Sequence, residues 1–282
     1  MKSLKFITMG ICLLLSALMV EAQDNGASLH SEPQYECVYS YIINSDVQET
    51  YSAVLQIGKE FTRFTDYTAY AVDSLSFSTS ASDEEKAKFE EAKRLSMYYF
   101  DQEIWQNFSQ GEMTVSMEVS PNIMEYKEEL GLMNWTLEEG CETICGYQCN
   151  KATASYGGRE WVVWYAPQIP STAGPWKFNG LPGLILAASD SESKHKFEAI
   201  AFRSGTVPVV KAANAAAFQS SREKVLKAKL TSENDIKEGK MPGITEVKSV
   251  QIYKTSAGTN IVYINGVARR PRPNGYQPIE LE

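Results

Sequence analysis

The chain's most reactive side chains are the thiols of Cys37, Cys141, Cys145 and Cys149, which remain once an apolar N-terminal segment carrying Cys12 is set aside. Cys141, Cys145 and Cys149 recur every four residues, so on one extended strand they share a face. At about 3.3 Å per residue neighbours stand roughly 13 Å apart, beyond the reach of a disulfide within a straight strand. One of them must therefore lie in a turn or pair with Cys37. An even count in an oxidising compartment favours two bridges. The expected pairs are a local Cys141–Cys145 and a long-range Cys37–Cys149. The competing chemistry is a thiol-redox or soft-metal site on the same thiolates. The Cys-x-x-Cys spacing usual for zinc is missing and there are only two histidines, so no metal ligand set and no cofactor is assigned.

Catalysis has thinner support. Nucleophilic mechanisms of the Ser-His-acid kind need a positioned imidazole. His30 lies near the N-terminus and His195 sits in Ser191-Glu192-Ser193-Lys194-His195-Lys196, which reads as a solvated hairpin tip. Gly-x-Ser-x-Gly, phosphate-cradling and His-Glu-x-x-His patterns do not occur. The neighbouring carboxylates of Glu128-Glu129 and Glu138-Glu139 diverge on exposed elements. No catalytic residue is assigned, and the reading leans away from an enzyme.

Binding chemistry is better represented. Trp161, Trp164, Trp176 and Phe178 fall within 18 residues, beside Tyr165 and Arg159. If part of this cluster stays open it forms an apolar cleft for an acyl chain, a peptide strand or a flat ring. The alternative is that all four are core. Trp176 is the expected exception, because it follows Gly174-Pro175 in a loop. The candidate ligand-binding residues are Arg159, Trp164, Trp176 and Phe178, with Arg159 meeting either an anionic group or a strand neighbour.

The elements that must position these groups are mostly strands. Lys2 and Lys5 precede an apolar run from Phe6 to Val20, and Val20-Glu21-Ala22 fits a small-x-small cleavage site. Residues 1–22 therefore read as a signal peptide cleaved after Ala22, giving an exported protein of the periplasm or the extracellular space. No later stretch approaches the length of a membrane span. Removing those residues takes two lysines and one glutamate from 27 basic and 35 acidic residues and leaves a net charge of −9. Such acidity excludes nucleic acid as a partner and disfavours anionic lipid surfaces.

Residues 23–32 read as a disordered leader, and 33–282 as a single β-rich domain. Alternation marks strands over Tyr35–Tyr41, Ser52–Ile57, Phe61–Phe64, Tyr70–Phe77 and Met113–Val119. Ser82-Asp83-Glu84-Glu85 is a capping box that opens an amphipathic helix to about Phe100 and on toward Trp105. Thr143–Tyr156 and Arg159–Ala166 form a hairpin around Gly157-Gly158. Leu181-Pro182-Gly183-Leu184 reads as a type II turn that launches Leu184–Ala188, followed by Phe197–Phe202. A second helix is expected within 210–230, a polar segment over 231–243, and a last pair of strands over Val247–Tyr253 and Thr259–Ile264. The fold class is mainly β (α+β), a curved antiparallel sheet or open half-barrel with one or two helices packed on it.

The string Gly180-Leu181-Pro182-Gly183-Leu184-Ile185 is the signature of the GLPGLI family, an exported Bacteroidetes-type family of uncharacterised function, which this chain resembles. The likeness extends through Asn134-Trp135-Thr136-Leu137, Gly146 to Ala152, Gly158 to Pro170 and Gly174-Pro175, and ends with Pro278-Ile279-Glu280-Leu281. It implies an exported, strand-rich protein and carries no catalytic residue. The expected function is non-catalytic: binding an apolar small molecule, lipid or peptide, or assisting an outer-membrane protein. The alternative is a thiol-redox or soft-metal-handling module.

Overall fold

A computed structural model describes residues 29–76, 82–84, 100–211, 217–254, 260–265, 267–269, 272 and 275–281. The strands are β1 (Leu29–Ser31), β2 (Pro33–Ile43), β3 (Glu49–Gly58), β4 (Phe61–Asp66), β5 (Gln102–Asn107), β6 (Glu112–Val119), β7 (Asn122–Glu129), β8 (Thr136–Ile144) and β9 (Tyr147–Tyr156). They continue as β10 (Arg159–Ala166), β11 (Leu184–Asp190), β12 (His195–Ser204), β13 (Val209–Lys211), β14 (Phe218–Gln219), β15 (Val250–Lys254), β16 (Asn260–Ile264) and β17 (Val267–Arg269). Two helices are described, α1 (Tyr67–Ser76) and α2 (Arg222–Lys237).

Twelve strands form one open sheet in the order β14-β7-β6-β5-β4-β3-β2-β12-β11-β10-β9-β8. Neighbours are antiparallel except β14 with β7. The sheet is mostly β and unclosed, as the composition and alternation lead one to expect. Register shifts add local twist where one strand gains a residue, at Ala199/Ala201 and Trp164/Tyr165, or two, at Glu138/Cys141. The result is a strong curl. Cys145, in the turn after β8, donates its Sγ hydrogen to the Ala199 carbonyl of β12 at 3.2 Å, although β10 and β11 stand between β9 and β12 in the sheet order.

The inner face holds the main core, with Tyr39, Phe64, Tyr126, Trp161, Trp176, Phe178 and Phe197 fully enclosed. On the outer face, α1 lays Tyr70 against Val38 and Val54, and Val209 of the separate β1–β13 pair packs on Phe61 and Trp105. Strands β15, β16 and β17 form a small sheet of their own.

Several expectations meet a different outcome. Leu29–Ser31, placed in the disordered leader, pairs with Val209–Lys211. Tyr70–Phe77, expected as a strand, falls largely in α1. Its start is set by Asp66, whose Oδ1 accepts the Thr68 amide hydrogen at 2.8 Å, the contact of an N-cap. The stretch up to Trp105, expected as a helix tail, lies in β5, a strand between β4 and β6. The capping-box helix lies outside the described residues except for 82–84. The second helix begins at Arg222 and continues to Lys237, into the stretch expected to be a polar connection.

The Gly157-Gly158 hairpin forms as expected, with φ of 60° and 73° matching a type I′ turn. The Pro182 corner does not take the type II form. The Gly183 amide donates to Leu181 O at 2.9 Å, which closes a three-residue turn centred on Pro182. Glycine is required for a reason other than turn type: a Cβ at Gly183 would lie 2.4 Å from Ala166 O.

Candidate functional site

The loop between β10 and β11 folds into the concavity of the sheet. Ala173 and Asn179 form an antiparallel bridge, the Gly180 amide donates to Thr172 O at 2.9 Å and the Ile185 amide to Ala173 O at 3.0 Å. Gly174 permits this approach, since a Cβ there would stand 2.8 Å from Ile185 Cβ. Trp176, Lys177 and Phe178 are each 0% exposed. Trp176, expected to stand open, is a core residue. Its ring lies 5.5 Å from Tyr156, 5.6 Å from Trp161 and 5.2 Å from Phe178, and its Nε1 donates to Gln102 Oε1 at 3.2 Å. Trp164 is half-buried, with its ring under Gly140, where an added Cβ would come within 3.2 Å of Cη2.

The loop carries a cation into the core. Lys177 Nζ meets Glu128 Oε2 at 2.6 Å and Glu280 Oε1 at 2.7 Å, and donates to Tyr126 OH at 2.8 Å. Arg222 of α2 completes the set, with contacts of 3.1 Å to Glu128 and 2.6 Å to Glu280. Two carboxylates face two cations, so burial is compensated. Each carboxylate is shared between the Lys177 ammonium and the Arg222 guanidinium. Burial pushes the Tyr126 and Tyr156 hydroxyls well up, holding them neutral.

Arg159 takes the strand-neighbour role and also binds the C-terminal segment. Its NH1 pairs with Asp190 Oδ2 at 2.7 Å, Nε donates to Ile279 O at 2.9 Å and NH2 to Pro278 O at 2.9 Å. The Leu281 amide adds a bond of 2.8 Å to Gly157 O. Thus the terminal Pro-Ile-Glu-Leu string seals the inner face, with Arg159 and Lys177 as its receptors. His195, expected at a solvated tip, is 0% exposed beside this seal. Its Nδ1 is 2.8 Å from Tyr41 OH, and burial, with Arg159 and Lys194 nearby, lowers its imidazole to about 3.

The thiols do not form the expected bridges. Cys37, Cys141, Cys145 and Cys149 are all free thiols, the first and last buried, the middle two exposed. Cys141 lies within β8 and Cys145 in the turn that follows, so extended geometry separates them. Glu142, not a cysteine, is the register partner of Cys149, and Cys37 lies in register with Phe202 and Leu55. Burial raises the Cys37 thiol to about 12 and Cys149 to about 11, which withholds the thiolate that exchange or metal binding needs. Among the described residues no group of three His, Cys, Asp or Glu is placed to hold a metal ion.

Among the described residues the β8 edge of the large sheet carries no further strand. β8 ends the twelve-stranded sheet and pairs only with β9. All its residues except Ile144 are exposed, including Leu137 at 62% and the acidic Glu138, Glu139 and Glu142. A register shift at Glu138/Cys141, with Gly140 at φ 147°, bends the strand midway.

Of the sequence expectations for this cluster, the exposure of Trp176 is the one overturned, while the enclosure of Trp161 and Phe178 matches the core alternative. Lys177, Glu128, Arg222 and Glu280 were missed as a set. The available signal was Lys177 between Trp176 and Phe178, a charge flanked by two large aromatics.

A comparison with curated proteins returns no match. Among solved structures the chain is similar to one described as PNGF-II in a C2 space group, with 13% identity, 82% of this chain and 39% of that chain covered, and a TM-score of 0.50. A second, PNGF-II in a P21 space group, gives 12% identity, 71% and 34% coverage and a TM-score of 0.48. The chain therefore spans well under half the length of these structures, and at such identity the likeness concerns the fold alone. Residues 158–187, from the β9–β10 turn through the buried loop to β11, match the profile of a family described as a protein of unknown function (Porph_ging).

Proposed function

We propose that this chain is an exported, non-catalytic binding protein of the GLPGLI type, released by cleavage after Ala22, whose ligand is an extended peptide segment of a partner protein. The observation that carries this reading is the exposed β8 edge. Unpaired backbone amides and carbonyls on a sheet edge accept a further strand, which supplies main-chain hydrogen bonds without any shaped pocket. Glu138, Glu139 and Glu142 select a segment carrying lysine or arginine, and Leu137 offers an apolar contact. A partner in an outer-membrane system with an extended basic segment fits this chemistry.

The enclosed aromatic loop lends no support to a lipid or small apolar ligand at Trp176 and Phe178. The buried thiols lend none to a redox or metal role. The test is a titration with a labelled peptide of alternating lysine and valine, followed by fluorescence anisotropy. Saturable binding that weakens with salt and is lost in Glu138→Lys/Glu142→Lys supports the reading. Binding unaffected by that double substitution, or no binding, contradicts it.

A further inference from the structure

The cluster around Lys177 differs from an ordinary ion pair in its surroundings. The Lys177 side chain is 0% exposed, and those of Glu280 and Glu128 are 1% and 8% exposed. Three rings line the amine, with Tyr126, Trp176 and Tyr156 centred 4.9, 5.6 and 5.8 Å from Nζ. Such an enclosure disfavours separated charges relative to a neutral amine and a neutral acid. An amine and a carboxyl held in contact there have the proximity that the same groups lack in solution.

The partners divide the work of an acyl transfer. Lys177 Nζ lies 2.7 Å from Glu280 Oε1. A carboxyl C–O bond of about 1.2 Å then puts Glu280 Cδ within about 4 Å of the nitrogen. The other oxygen of the same carboxyl, Oε2, is held by Arg222, from Nε at 2.8 Å and from NH2 at 2.6 Å. Negative charge developing on Oε2 thus finds two donors already in place. Glu128 Oε2, 2.6 Å from Nζ, is placed to take a proton from the nitrogen. Glu128 meets Arg222 through a single longer contact of 3.1 Å, which leaves Glu280 as the better-held electrophile.

We infer that Lys177 and Glu280 are a self-modification site, where an isopeptide bond fastens the C-terminal segment to the β10–β11 loop. One ammonium proton passes to Glu280 Oε1, giving a neutral amine and a neutral acid. Nζ attacks Cδ, and the charge of the tetrahedral intermediate rests on Oε2 between the Arg222 donors. Glu128 takes a second proton from Nζ and returns it to the Oε1 hydroxyl, which leaves as water. One Nζ–Cδ bond forms, one Cδ–Oε1 bond breaks, and Glu128 and Arg222 end unchanged. The step is a condensation and draws on no oxidant or co-reactant. It concerns the closed core and is independent of the β8 edge.

Mass spectrometry of the full chain, held folded at neutral pH and then denatured, tests this. The native chain should weigh one water less than its sequence. A protease digest should yield a branched peptide joining the segment that carries Lys177 to the segment that carries Glu280. A native chain at its full sequence mass overturns the inference. So does a missing water without that branched peptide, or a branch at Glu128 instead. Lys177→Arg keeps the charge but has no amine able to condense, so it should keep its full mass. Glu128→Gln keeps the shape of the side chain but takes no proton, and most of its molecules should lack the branch. An undiminished branch in Glu128→Gln would overturn the role given to Glu128. The native chain decides the main question whether or not these variants fold.

Discussion

Arg159 and Ile279 are 120 residues apart in the chain, yet the Arg159 Nε hydrogen bonds to the Ile279 carbonyl at 2.9 Å while the same guanidinium holds Asp190. The C-terminal string is thereby part of the core. Arg159→Ala leaves the Asp190 carboxylate buried without its cation and frees two tail carbonyls. A loss of about 3–5 kcal/mol in chemical denaturation is expected. Arg159→Lys should recover only part of it, because a single ammonium cannot reproduce the guanidinium fork.

Lys177 tests the same closure from the loop side. Lys177→Met fits the volume but leaves Glu128 and Glu280 sharing only Arg222. Destabilisation of about 3 kcal/mol or more is expected. In a double-mutant cycle with Glu280→Gln, the second substitution should cost clearly less in the Lys177→Met background than in the native chain.

Gly183 is fixed by contact distance. Its missing Cβ would meet Ala166 O at 2.4 Å, whereas one at Gly111 would meet nothing within 4 Å. Gly111→Ala should cost only the roughly 1 kcal/mol of its positive φ, and Gly183→Ala distinctly more, as read by thermal unfolding.

His195 gives the stability a defined pH dependence. Its folded imidazole is lowered to about 3 by burial, Arg159 and Lys194, against about 6.5 in an unfolded chain. Between those values the unfolded chain binds the extra proton. The contribution is complete above about pH 6.5 and is lost as the pH falls toward 3, by up to about 1.4 kcal/mol per pH unit. Denaturation curves across that window should be shallower in pH for His195→Gln.

Thiol labelling checks the cysteine assignment. Without denaturant, Cys141 and Cys145 should react with a thiol reagent while Cys37 and Cys149 stay protected, and all four should react once the chain is unfolded.

The sheet was legible where alternation was long and turns were marked, as in Tyr35–Tyr41, the Gly157-Gly158 hairpin and the strands flanking it. It was not legible at Tyr70–Phe77, where a short apolar run fits both periods and only the Asp66 cap selects a helix. The Cys145-Gly146 turn hid within an apparent strand because Cys145 takes φ 49° without the usual asparagine or glycine. The site suffered most from distance in sequence. Lys177 finds its partners only when Glu128 and Glu280 arrive from elsewhere in the chain, and Trp176 reads as a loop residue until Gln102, Tyr156 and Trp161 close around it. Burial set by remote segments leaves no local pattern.

Backbone amide hydrogen exchange, with and without the alternating lysine–valine peptide, tests the central claim most directly. The amides of residues 136–144 should gain protection on peptide addition, while those of 174–178 and 278–281 stay protected throughout. Unchanged exchange along β8, with new protection or opening at the Trp176 loop and its tail, would contradict an account in which the core is closed and the edge is the binding surface.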